Sequence, residues 1–167
     1  VGTGSLKIQL GAWSKGDFTP DVTDGSATFA PGAAPEVSID ITAADDTLAK
    51  VAAKINAANA GVNATVLRDA AGERLLVRSS ATGEESGFRI QAMDDDGNNA
   101  DGAGLSRLAF DPENGSNGLS LTQSARDTLA TINGVEVKSK NTTFTDAIDG
   151  LTLTVAQVTT SPVDIGV

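Results

Sequence analysis

Alternation of apolar and polar residues with a period of two is the feature that most constrains the fold of this chain. It appears at residues 6–10 and 37–41, and again at 88–92, 151–155 and 163–167. Successive side chains of a strand point to opposite faces, so each segment is expected to be a strand with one buried face. We therefore expect mainly β-structure.

One segment has the periodicity of a helix instead. Its apolar residues recur at the spacing of a single helical face, namely Leu48, Val51, Ala52 and Ile55. This spacing predicts an amphipathic helix over residues 46–60. Asp45 or Asp46 is expected to cap its start, and Gly61 is expected to end it in a left-handed conformation. A helix this short is marginal alone, so it is expected to pack on a sheet.

Turn residues predict two hairpins and three irregular segments. Residues 62–68 and 74–79 are expected to pair around a turn that contains Gly72. Asn133-Gly134 lies between two apolar runs, and this dipeptide favours a two-residue hairpin turn. The irregular segments are residues 14–35, residues 94–104 and residues 111–118, the last of which is the predicted domain boundary.

Composition excludes several classes of function. The formal net charge is −10, which argues against nucleic acid and anionic membranes because both attract basic surfaces. The sequence has no cysteine and no histidine. Disulfides and thiolate metal sites are therefore excluded, and the commonest general base is missing. The chain starts Val1-Gly2 and shows no signal peptide, which favours a piece of a longer protein.

No pattern predicts a catalytic, metal or cofactor site. Residues 94–99 (DDDGNN) are acidic, but Asn99 and Leu105 stand where a calcium loop needs glycine and glutamate. Glu84-Glu85 are expected to be surface charges, and Gly2-Thr3-Gly4 lacks the lysine of a phosphate loop. A Ser-His-Asp triad is excluded, whereas a Ser-Lys dyad stays open without a motif to support it. We expect no enzyme.

Trp13 is the only tryptophan, and two interpretations of it stay open. The favoured one is that its ring is buried and seals a domain junction, since large aromatic side chains usually serve burial. The other is that it is an exposed contact for a partner protein.

Part of the chain resembles the IN motif of flagellins and hook-associated proteins. The resemblance is carried by residues 47–56 (TLAKVAAKIN), 61–64 (GVNA), 74–77 (RLLV) and 79–83 (SSATG). Several flagellar proteins share this motif, so it indicates only a flagellar component.

Further segments make the resemblance more specific. They are residues 2–11 (GTGSLKIQLG), 124–127 (SARD), 132–137 (INGVEV), 139–142 (SKNT) and 146–154 (DAIDGLTLT). Together they resemble the filament cap protein family, hook-associated protein 2 or FliD.

The resemblance implies a fold and a domain organisation. It implies an α+β, mainly β fold of two small antiparallel domains that resemble the outer domains D2 and D3. Residues 11–118 are expected to form the D3-like outer domain, with the helix packed on its sheet. Residues 1–10 and 119–167 are expected to pair in a discontinuous, D2-like inner domain.

The resemblance also implies a function and partners. Such proteins leave through the flagellar type III channel, form a ring of identical subunits at the filament tip and guide flagellin into place. The expected location is therefore extracellular, the expected partners are flagellin and further copies, and no cofactor is implied. The alternative is an adhesin that contacts host surfaces, mucin or glycans. This chain alone is expected to be monomeric or weakly associating, because its charge opposes close approach of two copies.

Overall fold

The computed structural model describes residues 1–14, 27–115, 118–159 and 161–163. These residues form ten strands and one α-helix. The strands are β1 (Gly4–Trp13), β2 (Phe29–Pro31), β3 (Val37–Ile41), β4 (Val62–Asp69), β5 (Gly72–Ser79), β6 (Gly87–Asp94), β7 (Thr128–Ile132), β8 (Val135–Ser139), β9 (Thr143–Ile148) and β10 (Leu151–Thr154). The helix α1 is Leu48–Ala57. Within the described part of the chain, this helix is too short to cross a bilayer.

The chain forms two compact units, Val1–Arg126 (unit 1) and Asp127–Val167 (unit 2). All pairings between the described strands are antiparallel. The expected mainly β, α+β fold class is therefore confirmed.

Strand β1 is the centre of a four-stranded sheet in unit 1. One of its edges pairs with β6 over residues 4–11. The other edge pairs with β3 over residues 4–8 and with β2 over residues 11–13. The prediction that residues 1–10 pair with residues beyond 118 is wrong, because both edges of β1 are taken by strands of unit 1.

The core of unit 1 lies between this sheet and α1. Leu6 is opposite Ile39 on one side and Ala92 on the other, so these buried residues share one face of the sheet. Val51 and Ile55 of α1 are fully buried in the same apolar cluster. The helical face predicted from the sequence is therefore the face that packs.

The caps of α1 differ from the prediction. Thr47 is the N-cap, since its side-chain oxygen accepts the backbone N–H of Lys50 at 3.3 Å. Asp45 and Asp46 bind lysines instead of the helix N-terminus. The helix ends at Ala57 and therefore before Gly61. Gly61 comes after a turn and has a φ of 76°. The left-handed φ favours glycine at this position, and an added Cβ would also meet the end of the Leu10 side chain, which would have to move.

The β4–β5 hairpin forms as predicted, with a shorter turn. Asp69 pairs with Gly72, so the turn itself is Ala70-Ala71. Gly72 lies in β5 and has a φ of 124°, a conformation that L side chains rarely adopt. Val62 and Ala64 on the inner face of β4 are buried against α1.

The described residues of unit 2 form two separate two-stranded sheets, β7–β8 and β9–β10. Asn133-Gly134 form the predicted hairpin turn, with φ angles of 50° and 85°. Phe144 is the one large side chain that is buried among the described residues of this unit. The predicted strand at residues 163–167 is absent at Val163, and residues 164–167 lie outside the described residues.

The predicted domain boundary at residues 111–118 is misplaced. Asp111 and Pro112 are buried in unit 1, and the N–H of Leu119 bonds the carbonyl of Ala109 at 2.7 Å. The division falls at Arg126, because the chain keeps contact with the core of unit 1 up to Leu121. A polar, glycine-rich sequence here marks a turn at the surface of a domain and not its end.

Candidate functional site

The acidic loop after β6 is the first candidate, and its carboxylates bind its own backbone. Asp94 Oδ2 accepts the N–H groups of Leu105 and Ser106, and Oδ1 accepts that of Asp96. Asp101 Oδ1 accepts the N–H of Ala103 at 2.9 Å and the hydroxyl of Ser106 at 2.8 Å. These bonds lower the pKa of Asp101, the backbone bond most. Both carboxylates therefore hold the loop together.

Three glycines fit this loop against the start of β1. A Cβ at Gly2 would clash with the backbone at Leu105, and one at Gly4 would clash with the carbonyl of Met93. Gly104 is equally constrained by the Asp94 carboxylate. Close packing of backbone thus explains the Gly2-Thr3-Gly4 sequence without a phosphate.

We expect no stoichiometric heat when Ca²⁺ is titrated into the protein in a calorimeter. The oxygens of Asp94 and Asp101 already accept backbone donors, and no group of three acidic side chains in the described residues could hold a metal. Tight binding that Asp94→Ala and Asp96→Ala abolish would contradict this expectation. The absence of a metal site is thus a prediction that this titration tests.

The other carboxylates and lysines singled out in the sequence do not form a cleft. Glu84 and Glu85 are exposed in the short 3₁₀ turn Glu84–Ser86. Lys7, Lys50 and Lys54 each pair with a carboxylate. The open possibility of a Ser-Lys dyad gains no support from these three lysines.

Trp13 belongs to an aromatic cluster in unit 1. Its ring lies 4.9 Å from that of Phe29 and 5.8 Å from that of Phe110. Its Nε1–H donates to the carbonyl of Phe88 at 3.0 Å. Arg89 lies 4.8 Å over the ring of Phe29, a cation–π contact. The half-buried Trp13 side chain therefore serves packing within unit 1. Its burial agrees with the favoured prediction, whereas the predicted role in sealing a domain junction gains no support from these contacts.

A buried carboxylate joins β3 to α1. Asp45 Oδ2 accepts Lys54 Nζ at 2.7 Å, the N–H of Thr42 at 2.9 Å and the Thr42 hydroxyl at 2.8 Å. The same ammonium donates to the carbonyl of Asp40 at 2.7 Å. Lys54 above all, and then Thr42, lower the pKa of Asp45 to about 2.

This lowered pKa predicts a loss of stability in acid. The folded-state pKa of Asp45 lies below its ordinary value of 3.8, so its contribution is complete above that value and disappears as the pH falls toward 2. We expect Asp45→Asn to lower the urea midpoint above pH 4 and to have little effect near pH 2. A difference that stays constant from pH 6 to pH 2 would contradict this role of the carboxylate.

Asn56 joins the end of α1 to β4. Its side-chain Oδ1 accepts the N–H of Ala64 at 2.7 Å, and its Nδ2 donates to the carbonyl of Ala64 at 2.9 Å. One amide thus satisfies both backbone groups of Ala64 as a neighbouring strand would. Ile55 is buried in the core, and Asn56 forms hydrogen bonds with the edge of β4. Both residues of the Ile55-Asn56 pair in the IN motif therefore have a physical role.

The surface of the β4–β5 hairpin that points away from α1 is exposed. We call it the IN-hairpin face, and it consists of Asn63, Thr65, Leu67, Arg74, Leu76 and Arg78. Leu67 is 54% exposed and Leu76 is 36% exposed. The IN-hairpin face combines apolar and cationic side chains on two regular strands, and it is the candidate interaction surface of unit 1.

Comparison with known proteins identifies the family. The family model described as the flagellin hook IN motif matches residues 21–81. The B-type flagellar hook-associated protein 2 of Pseudomonas aeruginosa is 31% identical over 130 residues, 73% of this chain and 27% of that protein. Flagellar hook-associated protein 2 of Escherichia coli K12 is 32% identical over 111 residues, 66% of this chain and 22% of that protein. The chain belongs to the hook-associated protein 2 (FliD) family.

A solved FliD structure agrees with this assignment over almost the whole chain. The crystal structure of the D2-D3 domains of the flagellar cap protein FliD from Escherichia coli has a TM-score of 0.72 and 26% identity. The match covers 96% of this chain and 69% of that one. The chain spans only about a quarter of the length of these two curated relatives, at 27% and 22%.

Sequence reasoning missed the side-chain bonds that hold the motif together. It identified the segment around Ile55-Asn56 as an IN motif but gave no role to the Asn56 amide. The position of Asn56 was a usable signal. An asparagine near the end of an apolar helical side lies close to the strand that follows, so its amide can bond that strand. The bonds of Lys54 to Asp45 and Asp40 had no such signal, since they depend on how α1 packs against β3.

Proposed function

We propose that this chain is part of a flagellar cap protein that acts at the filament tip and promotes the assembly of flagellin. The observation that carries the proposal is the match to the D2-D3 domains of a flagellar cap protein over 96% of the chain. The curated relatives, named flagellar hook-associated protein 2, support the same role. The role is structural and needs no catalytic group. Export through the flagellar type III channel belongs to the same proposal.

We further propose that unit 1 corresponds to the outer domain D3 and unit 2 to a part of the inner domain D2. Unit 1 contains all the described residues of the IN motif match and the one described α-helix. Unit 2 has two small sheets and a single large buried side chain in its described part. The adhesin alternative has no support from the names of the relatives, so we do not extend it.

Complementation tests the cap function. A strain of the source organism that lacks its own copy of the full-length gene is expected to leak flagellin and to carry few filaments. The full-length gene should restore filaments, and the same gene without the codons for residues 1–167 should not. Filaments are counted by electron microscopy, and flagellin in the medium is measured by immunoblot. Failure of the full-length gene to reduce the leakage would contradict the proposal.

Chain 1–167 alone is expected to remain a monomer, although the proposed full-length protein forms a ring. Two copies that each carry a net charge of −10 repel each other, and salt screens this repulsion only beyond about 8 Å. Multi-angle light scattering at tens of micromolar protein should give a mass near 16.8 kDa. A stable peak at five or six times that mass would place the main ring contacts within this chain.

A further inference from the structure

The IN-hairpin face has an arrangement that suits protein recognition. Leu67 is directly opposite Arg74, and Leu76 is directly opposite Thr65, so the two leucines are diagonal neighbours. Diagonal neighbours on one face of a sheet are close enough for long side chains to touch. The leucines therefore form one apolar patch with an arginine on either side. Arginine is enriched among the residues that contribute most to protein interfaces.

The charge of this hairpin is opposite to that of the rest of the chain. Residues 62–79 contain three arginines and two acidic residues, whereas the remainder contains nine basic and twenty acidic residues. The hairpin is thus a small cationic region on an acidic protein. Its charge fits a surface that carries carboxylates.

One arginine of the face is free to bind a partner. Arg74 Nε bonds Asp69 Oδ2 at 2.9 Å, and Arg68, on the other side of the hairpin, bonds Glu73 at 2.8 Å. No ion pair joins the Arg78 guanidinium to any described residue. An acidic partner could therefore pair with Arg78 without breaking an existing bond.

We propose that the IN-hairpin face docks an acidic, partly apolar patch on flagellin during assembly, an inference that rests on the proposed cap function. A second copy of this chain fits less well. Like faces would bring arginines together, and two copies repel through their net charge of −10. A flagellin surface with a local acidic patch would not bring two arginine-bearing faces together.

The size of the face fits a transient contact. Two eight-residue strands present roughly 250 Å² on one side, given about 3.3 Å per residue and about 4.8 Å between strands. Stable interfaces bury about 800 Å² on each partner. The face is too small to hold a protein stably by itself. A weak contact of this kind suits a flagellin subunit that binds briefly and is then released into the filament.

An NMR titration of chain 1–167 with purified monomeric flagellin tests the inference. We expect amide shifts concentrated in residues 62–79 and weaker binding at high salt. Arg78→Glu and Leu67→Ser should each weaken binding at least tenfold. Arg107→Glu makes the same charge change at an exposed site elsewhere, and Leu129→Ser truncates a leucine that is 56% exposed in unit 2. Both controls should change the affinity less than twofold.

Several results would overturn the inference. Two of them concern binding itself, namely no binding at millimolar flagellin and amide shifts centred outside the hairpin. The other two are equal losses of affinity in the control variants and self-association of the chain through this face. Urea midpoints of all four variants establish that each protein is folded. The complementation assay keeps the two hypotheses apart. If the wild-type full-length gene restores filaments and the gene with both hairpin changes does so equally well, the docking proposal fails while the cap function stands.

Discussion

Replacing Ile55 by alanine is expected to lower the free energy of unfolding of unit 1 by about 2–5 kcal/mol, the usual range for removing a large buried aliphatic side chain. Ile55 is fully buried and lies in the apolar cluster between α1 and the sheet. The truncation removes apolar contacts and leaves a cavity that the surrounding strands cannot fully close. Ile55→Val should cost about 0.5–1.5 kcal/mol, since less volume is lost.

Urea denaturation followed by tryptophan fluorescence measures this effect. Trp13 is the only tryptophan and lies in unit 1, so its emission reports the unit in which the change is made. Leu67→Ala is the matched control, because this leucine is 54% exposed on the same α1–β4–β5 module. The control should cost less than about 1 kcal/mol, as surface changes usually do. If Ile55→Ala and the control cost the same, the helical face is not the core face.

Asn56→Asp is expected to destabilise unit 1 by about 1–4 kcal/mol in total. The change keeps the acceptor for the N–H of Ala64 but removes the donor to its carbonyl, and an unsatisfied backbone group costs about 1–3 kcal/mol. It also places a negative charge near the C-terminus of α1, which costs about 0.3–1 kcal/mol. The same urea experiment measures the sum.

Asn59→Asp separates the lost bond from the charge effect. Asn59 follows the same helix end, and its Nδ2 donates only to the nearby carbonyl of Ala57. This control should show the cost of the charge together with the loss of one exposed hydrogen bond, whose carbonyl water can reach. Acid gives a second check, because the carboxyl group introduced by Asn56→Asp regains a hydrogen-bond donor when it is protonated. The penalty of that change should shrink below about pH 4, whereas a penalty from backbone strain would not depend on pH.

The elements with strong local periodicity were predictable from the sequence. β3, β6 and the β4–β5 hairpin follow the alternation of apolar residues, and α1 follows the single helical face. The Asn133-Gly134 turn follows from the left-handed conformation that both positions require. Each of these features depends on residues close together in the chain, which is why the pattern alone was sufficient.

The pairing of β1 and the domain boundary were not predictable in the same way. Leu6 and Ile8 show that a strand buries one face, but they do not show which strands lie on its edges. The segment at 111–115 is polar, yet Asp111 is buried, and its Oδ2 accepts hydrogen bonds from the amides of Gln91 and Asn114. Polarity indicates a boundary only when the polar groups face solvent.

The candidate surface was likewise only partly predictable. The resemblance to the IN motif identified the segment, but the outward direction of Leu67 and Leu76 depends on the register of β4 and β5. A shift of either strand by one residue would turn its leucine toward α1. Which side chains of the hairpin are exposed is therefore determined by the pairing register of its strands and not by its composition.

The central position of β1 also determines the order in which unit 1 can fold. The β4–β5 hairpin joins residues separated by a two-residue turn, so it can close within microseconds. β1 must instead wait for β6, whose residues lie about eighty positions further along the chain. Closing such a long loop is entropically costly, and folds dominated by distant pairings form slowly. The IN-motif hairpin is thus expected to be an early local structure, with the central sheet completed in the slow step.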